Sequence, residues 1–309
     1  MTRRGDINMS ESLTLTRLTI DDRSIIAPYL FANNYGSSDF SFYNLFAWRN
    51  THPVDFAIHK GFLVVLSSTF HARHFIMPVE LENGVGNLAE VIEDMKNWAF
   101  AAGMDFSMIG LTEPMLEQLA FMGPEFAVSD VMVWDYVYNS EDLITLRGKK
   151  FHAKRNHINK FNSLYNYEYQ RMEARHIPLC VELLNEWSNS HGNSEWLEGD
   201  NRAVREALAH FEKLDALGGC LFVEGKLAAF TLGQPVNSEV FCIHIEKALH
   251  QYEGIYAKIN QLFAQDVCAE YKYINREEDM GIEGLRKAKM SYNPAYLLHK
   301  RKGLIKRLG

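Results

Sequence analysis

The segment Tyr273-Ile-Asn-Arg-Glu-Glu-Asp-Met-Gly-Ile-Glu-Gly-Leu-Arg-Lys-Ala-Lys-Met-Ser-Tyr-Asn-Pro294 places three acids just after a strand-like run and then three bases, Arg286, Lys287 and Lys289, on a helical pattern. Carboxylates at the end of a strand, Glu277 or Asp279, can orient an amine or act as a general base. The bases can hold a phosphate or an oxyanion, and Lys289, three residues after Arg286, shares a helix face with it. The acid-then-base order also suits the helix dipole, so a charged surface helix accounts for it equally well.

A second basic segment, Arg147-Gly-Lys-Lys-Phe-His-Ala-Lys-Arg-Asn-His-Ile-Asn-Lys-Phe161, reads as a helix. At about 100° per residue Lys150, Lys154 and His157 fall within about 60° of one another, with Phe151 and Ile158 on the adjacent stripe. One face can dock on the protein while Lys150, Lys154 and Arg155 meet an anion; a plain basic surface helix remains the alternative. Gln251-Tyr-Glu-Gly-Ile-Tyr-Ala257 lies between a strand-like run and a helix starting near Ile255. A Gly-containing loop there can present backbone N–H groups to phosphate, and a tight turn before a helix explains it equally. The aromatic run Asp39 to Trp48, with Ser38 or Asp39 as N-cap, reads as core packing. His71 and His74 lack a Glu or Cys partner, so no metal ligand set is expected. No Walker loop, nucleophile elbow or dinucleotide fingerprint occurs.

These segments need a scaffold, and its elements recur at about half the chain length. A strand-like Leu15 to Ile20 precedes a helical Ser24 to Leu30, as Tyr169 to Ala174 precedes Ile177 to Trp187. Apolar strands follow in each half, Phe62 to Leu66 in the first, Cys220 to Val223 and Leu227 to Leu232 in the second, the latter pair around the turn Glu224-Gly-Lys226. Long helices come next, Asn87 to Ala102 and Ile255 to Tyr271, then short strands, Met104 to Ile109 and Tyr271 to Asn275. Second helices, Glu113 to Phe121 and Ile282 to Tyr292, and apolar runs, Ala127 to Tyr138 and Ala295 to Leu298, close the pattern. This mixed α/β order resembles the GCN5-related N-acyltransferase (GNAT) fold, here as two tandem lobes over residues 12–140 and 141–309, the second carrying the site. Acyl-coenzyme A enzymes of that fold use a Gln/Arg-x-x-Gly-x-Gly/Ala loop; Gln251 and Gly254 match it, and Tyr256 stands where a small residue belongs.

Composition sets the outer limits. The 309 residues are 47% hydrophobic with a net charge of −7, neither disordered nor collagen-like. Fourteen bases lie in two acid-free stretches, Leu143 to Tyr167 and Gly284 to Gly309; the other residues, 18 basic against 39 acidic, carry −21. An acidic body with two basic stretches argues against unspecific coating of nucleic acid and for local phosphate contacts. No apolar stretch approaches the roughly 20 residues needed to span a bilayer. Arg3 and Arg4 precede no signal-like core, so a cytoplasmic location is expected. Cys180, Cys220, Cys242 and Cys268 are too scattered for a zinc site and read as buried thiols.

The pattern Asn275-Arg276-Glu277-x-Asp279-x-Gly281-x-x-Gly284-Leu285-Arg286-x-x-Lys289-x-Ser291-Tyr292-x-Pro294 resembles the signature of the phosphatidylglycerol lysyltransferase C-terminal domain family. The resemblance extends back through Lys149 to Phe161 and Asp39 to Trp48. It implies tandem lobes similar to Fem-type aminoacyltransferases, and transfer of an aminoacyl group from aminoacyl-tRNA to a hydroxyl or amine acceptor. An acyl-coenzyme A donor, or a non-catalytic module for anionic ligands, are the alternatives. The expected catalytic residues are Glu277, Asp279 and Tyr292. Substrate contacts are assigned to Asn275, Arg276, Arg286, Lys289, Lys150, Lys154 and Arg155, and donor contacts to Gln251, Gly254 and Tyr256. No tightly bound cofactor is expected. The basic stretch Lys300 to Lys302 with Lys306 and Arg307 offers a contact for tRNA or an anionic lipid surface, and would allow peripheral membrane attachment.

Overall fold

The computed structural model describes residues 12–69, 72–81, 84–190, 192 and 194–308; His71 and the residues before Ser12 lie outside it. The first half contains β1 (Thr16–Arg17), β2 (Val54–His59), β3 (Phe62–Thr69), β4 (Ala72–Phe75), β5 (Val79–Glu80), β6 (Phe106–Leu111), β7 (Ala127–Val128) and β8 (Val133–Asn139). The second half adds β9 (Tyr167–Arg171), β10 (Leu217–Val223), β11 (Lys226–Pro235), β12 (Val240–Ala248), β13 (Tyr273–Asn275) and β14 (Tyr296–Ile305). The unbroken apolar run Phe62 to Leu66 is buried on both faces, as a central strand should be. Two hairpins turn on the same device: Lys60 and Gly61 join β2 to β3, and Glu224 and Gly225 join β10 to β11, all four at positive φ. That conformation matches the strand twist in two-residue hairpins.

Each half then shows the same pairing logic. β2, β3 and β4 are antiparallel and β4 runs parallel to β6. β9 to β12 are antiparallel and β12 runs parallel to β13. This is a mixed α/β fold with a GNAT-like sheet topology.

The last strands cross over. β8, from the first half, pairs with β13 of the second. β14, from the second half, pairs through Tyr296 to Lys300 with β8 and through Arg301 to Ile305 with β6. The result is one continuous path, β1-β2-β3-β4-β6-β14-β8-β13-β12-β11-β10-β9. A boundary at residue 140 thus separates the chain but not the ladders: each half borrows its neighbour's final strand. The crossing explains why the expected run Ala295 to Leu298 is longer, continuing to Ile305. The run Ala127 to Tyr138 instead breaks into β7 and β8.

An ionic cluster pins the crossing. Lys300 Nζ lies 2.8 Å from Asp135 and 2.9 Å from Asp39. Asp135 also accepts from Asn275 Nδ2 and from the Ser38 backbone. Burial opposes ionisation of Asp135, yet the Lys300 ammonium holds its carboxyl below the usual range. Lys300 is buried and paired, so it is not part of an exposed basic surface. Among the described residues no helix is long and apolar enough to cross a membrane.

Candidate active site

The loop after β13 carries the acids. Glu277 and Met280 have φ of +57° and +52°, a backbone that side chains disfavour. It persists because hydrogen bonds over-determine it. The Glu277 N–H donates to Asn275 Oδ1 (2.7 Å), and its carbonyl accepts from Tyr136 N (3.1 Å). Lys289 Nζ donates to the carbonyls on either side, those of Arg276 (2.5 Å) and Glu278.

This turn points the Glu277 carboxylate at two further elements. His244 Nδ1 on β12 lies 2.7 Å from Oε1, and Asn44 Nδ2 on the helix Phe42–Ala47 donates to the same oxygen at 2.8 Å. The Cys242 thiol is 3.9 Å from it. His244 Nε2 meets Ser41 Oγ at 3.3 Å, Ser41 Oγ accepts from Gln234 Nε2, and the Tyr43 ring stacks on the imidazole at 4.2 Å. The contacts converge on Oε1, and Oε2 accepts nothing from the described residues. Cys242, His244 and Glu277 offer atoms within 4.8 Å of one another, a spacing one metal ion can bridge. The 2.7 Å His244–Glu277 contact is already a short hydrogen bond, and burial pushes the Cys242 thiol up, away from the thiolate a metal needs.

β12 can aim His244 because it bulges there. Ile245 pairs with Leu232 and Ile243 with Gly233, leaving His244 as the extra residue. Gly233 permits this: a Cβ there would sit 2.4 Å from the Cys242 carbonyl oxygen.

Glu277 opens on a cleft of about 990 Å³ whose lining includes Tyr43, Asn44, Lys154, His244, Arg276, Lys289 and Tyr292. The buried Tyr292 ring carries the Lys154 ammonium 3.8 Å from its centre and the Arg276 guanidinium at 4.8 Å. Arg276 pairs with Glu246 at 3.1 Å. Burial lowers Lys154 and Lys289 to about 8 each and raises Glu278 to about 7. Burial also pushes the Tyr292 hydroxyl up to about 12, so it stays protonated.

Of the residues expected from sequence, Glu277, Arg276, Lys154, Lys289, Tyr292, Gly254 and Tyr256 line this one cleft. The others are placed elsewhere. Asp279 accepts from Arg286 Nε (2.7 Å) and Tyr136 Oη (2.5 Å), and the Arg286 hydrogen bond heads the causes that lower its carboxyl to about 2. Arg286 is thereby paired with Asp279, whereas Lys289 Nζ is engaged by the carbonyls around Glu277. Asn275 is buried, with its amide on the Gly36 carbonyl and Asp135. Lys150 pairs with Asp142 at 2.9 Å, and Arg155 donates to the carbonyls of Leu146 and Gly148. Gln251 is exposed and off the cleft. Tyr256, on the cleft, has its hydroxyl tied to the Ala248 backbone and to Trp187 Nε1 (3.0 Å). His74 is buried with Nδ1 2.8 Å from Ser107 Oγ.

Sequence reasoning passed over Ser41, Tyr43, Asn44 and His244. The aromatic run Asp39 to Trp48 does pack in the core, through Phe40, Phe42, Leu45 and Phe46. Its polar residues, spaced between the aromatic ones, were the readable sign that one edge faces something else.

The phosphatidylglycerol lysyltransferase C-terminal family model matches residues 32–300. The chain belongs to that family. A conserved protein of unknown function from Bacteroides thetaiotaomicron is 40% identical, with TM-score 0.89 over 94% of this chain and 99% of its own. The C-terminal domain of a putative lysylphosphatidylglycerol synthetase from Agrobacterium fabrum shares the fold at 13% identity and TM-score 0.64, over 93% and 92% of the two chains. FemX shares it at 8% identity and TM-score 0.59, over 96% and 98%. None of the curated proteins matches the sequence. Membership in this lysyltransferase C-terminal family makes a transferase of this superfamily plausible for the chain.

Proposed function

We propose that this protein, built of two tandem GNAT lobes with exchanged last strands, transfers an aminoacyl group from aminoacyl-tRNA to a hydroxyl or amine acceptor. The observation that carries the reading is the Glu277 carboxylate, which lines a large cleft with Oε1 held by His244 and Asn44 and Oε2 given no donor by the described residues. In this reading Oε2 accepts from the α-amine of the donor, while Lys154 and Arg276 hold a phosphate of its terminal nucleotide. An aminoacyl ester is already activated, so holding donor and acceptor in register is the main task of the protein. A coenzyme A donor is less well supported, because the helix His152–Leu164 packs on Gly254, where a Cβ would lie 2.3 Å from the His157 carbonyl oxygen, at the start of the helix Ile255–Val267 that phosphates would approach.

The test offers radiolabelled aminoacyl-tRNA and acetyl-coenzyme A with lipid, peptide and amine acceptors. Consumption of aminoacyl-tRNA is expected, with Glu277→Gln reducing it on the order of 100-fold at an unchanged melting temperature. If the folded protein consumes neither donor, the transferase reading fails. Acetyl-coenzyme A consumption by the folded protein, with aminoacyl-tRNA left intact, would move the assignment to the second donor.

A further inference from the structure

An aminoacyl donor brings two groups into the cleft, its α-amine and its side chain. A cationic side chain entering a partly buried cleft needs a carboxylate that no other cation already neutralises. Beyond Glu277, three of the cleft's carboxylates, Asp200, Glu246 and Glu253, are already paired. Asp200 lies 2.5 Å from Lys247 Nζ, with their side chains only 18% and 8% exposed. Glu246 holds Arg276 through one oxygen and accepts from Asn260 Nδ2 (2.9 Å) through the other. Glu278 has no ion pair among the described residues, and burial raises its carboxyl to about 7, which weakens it as a partner for a cation. Glu253 pairs with Lys160 at 2.7 Å.

Another part of the cleft wall is apolar and aromatic. The helices Phe42–Ala47 and Glu195–Ala209, with the residues beside them, bring Trp48, Trp196, Leu197 and Val204 to the cleft, and Trp187 joins them. Lys247 Nζ sits over the Trp187 ring at 3.8 Å, between the indole and Asp200. A lysyl or arginyl side chain reaching this wall would meet an ammonium already fixed on the one acid there.

Resting on the aminoacyl-transfer reading above, we propose that the cleft selects a donor with an uncharged, apolar side chain packed against Trp48, Trp187 and Trp196, and that Lys247 excludes cationic side chains by holding Asp200. The family description names lysine; the residues of this chain point to another amino-acid class.

Calorimetry on the full chain with phenylalaninamide, leucinamide and lysinamide tests this. Phenylalaninamide and leucinamide are expected to bind at least tenfold more tightly than lysinamide. Lys247→Met, close in length and still able to cover Trp187, is expected to improve lysinamide binding at least fivefold and leave leucinamide within twofold. Should that variant melt early, Trp187→Leu gives an independent reading: phenylalaninamide weakens at least fivefold while lysinamide is unmoved. Lysinamide binding as tight as the apolar amides, or a Lys247→Met protein with no gain, overturns the selectivity and leaves the transferase reading intact. If none of the three amides binds the folded wild-type chain, the aminoacyl reading of the cleft falls and the selectivity with it.

Discussion

At the residue scale the site depends on a carboxylate whose backbone and side chain are fixed by different partners. Lys289 and Asn275 hold the left-handed turn at Glu277, and His244 and Asn44 hold its oxygen. His244→Phe keeps a ring under Tyr43 and removes the donor, so it is expected to lower kcat more than it changes KM, read from steady-state transfer rates. Lys154 gives a pH signature. Burial lowers it to about 8, so its ammonium is present below that pH and lost above it. Binding of a phosphate probe such as adenosine 5′-monophosphate is therefore expected to weaken as pH rises past about 8. The bound anion favours the ammonium and moves the midpoint upward in the complex. Lys154→Arg, charged across this range, should remove the alkaline limb in a calorimetric pH series.

At the element scale the helix His152–Leu164 and the start of the helix Ile255–Val267 approach each other through Gly254. Its φ is +84°, and a Cβ would lie 2.3 Å from the His157 carbonyl oxygen. Gly254→Ala is expected to destabilise the fold by about 1–3 kcal/mol in urea titration, since both the backbone and the contact resist it. Here the sequence was readable in part. Gly254 stood out for its loop position, although for phosphate binding rather than packing. The strand and helix order was legible because apolar periodicity reports which face is buried. The pairing of β8 with β13 was not, because periodicity carries no information on which strand lies alongside. His244 was hidden for a related reason: a bulge breaks the alternation from which a strand's faces are read. The helix Glu195–Ala209 was missed because its stripe, Leu197, Ala203, Val204, Ala207 and Leu208, is interrupted by Gly199 and Asp200. Asp279 and Arg286 looked like chemistry in sequence because an ion pair bracing a loop uses the same residue types as a site.

At the scale of the whole molecule, the exchanged strands tie the halves into one cooperative unit. Scanning calorimetry is expected to show a single transition whose calorimetric and van't Hoff enthalpies agree. Two separated transitions would show instead that the halves melt independently. Lys300→Met leaves Asp135 charged and buried at the crossing, and should cost about 3–5 kcal/mol in denaturant unfolding. The same replacement at Lys306, an exposed position outside β14, should cost far less.

The crossing also orders events during synthesis. On the side away from β4, the partner of β6 is β14, which leaves the ribosome after the other strands of the described residues. At about 5–20 residues per second, the roughly 185 residues between them take about 10–40 s to translate. Through that interval the first half presents β6 as an open edge, available to chaperones or to a neighbouring nascent chain.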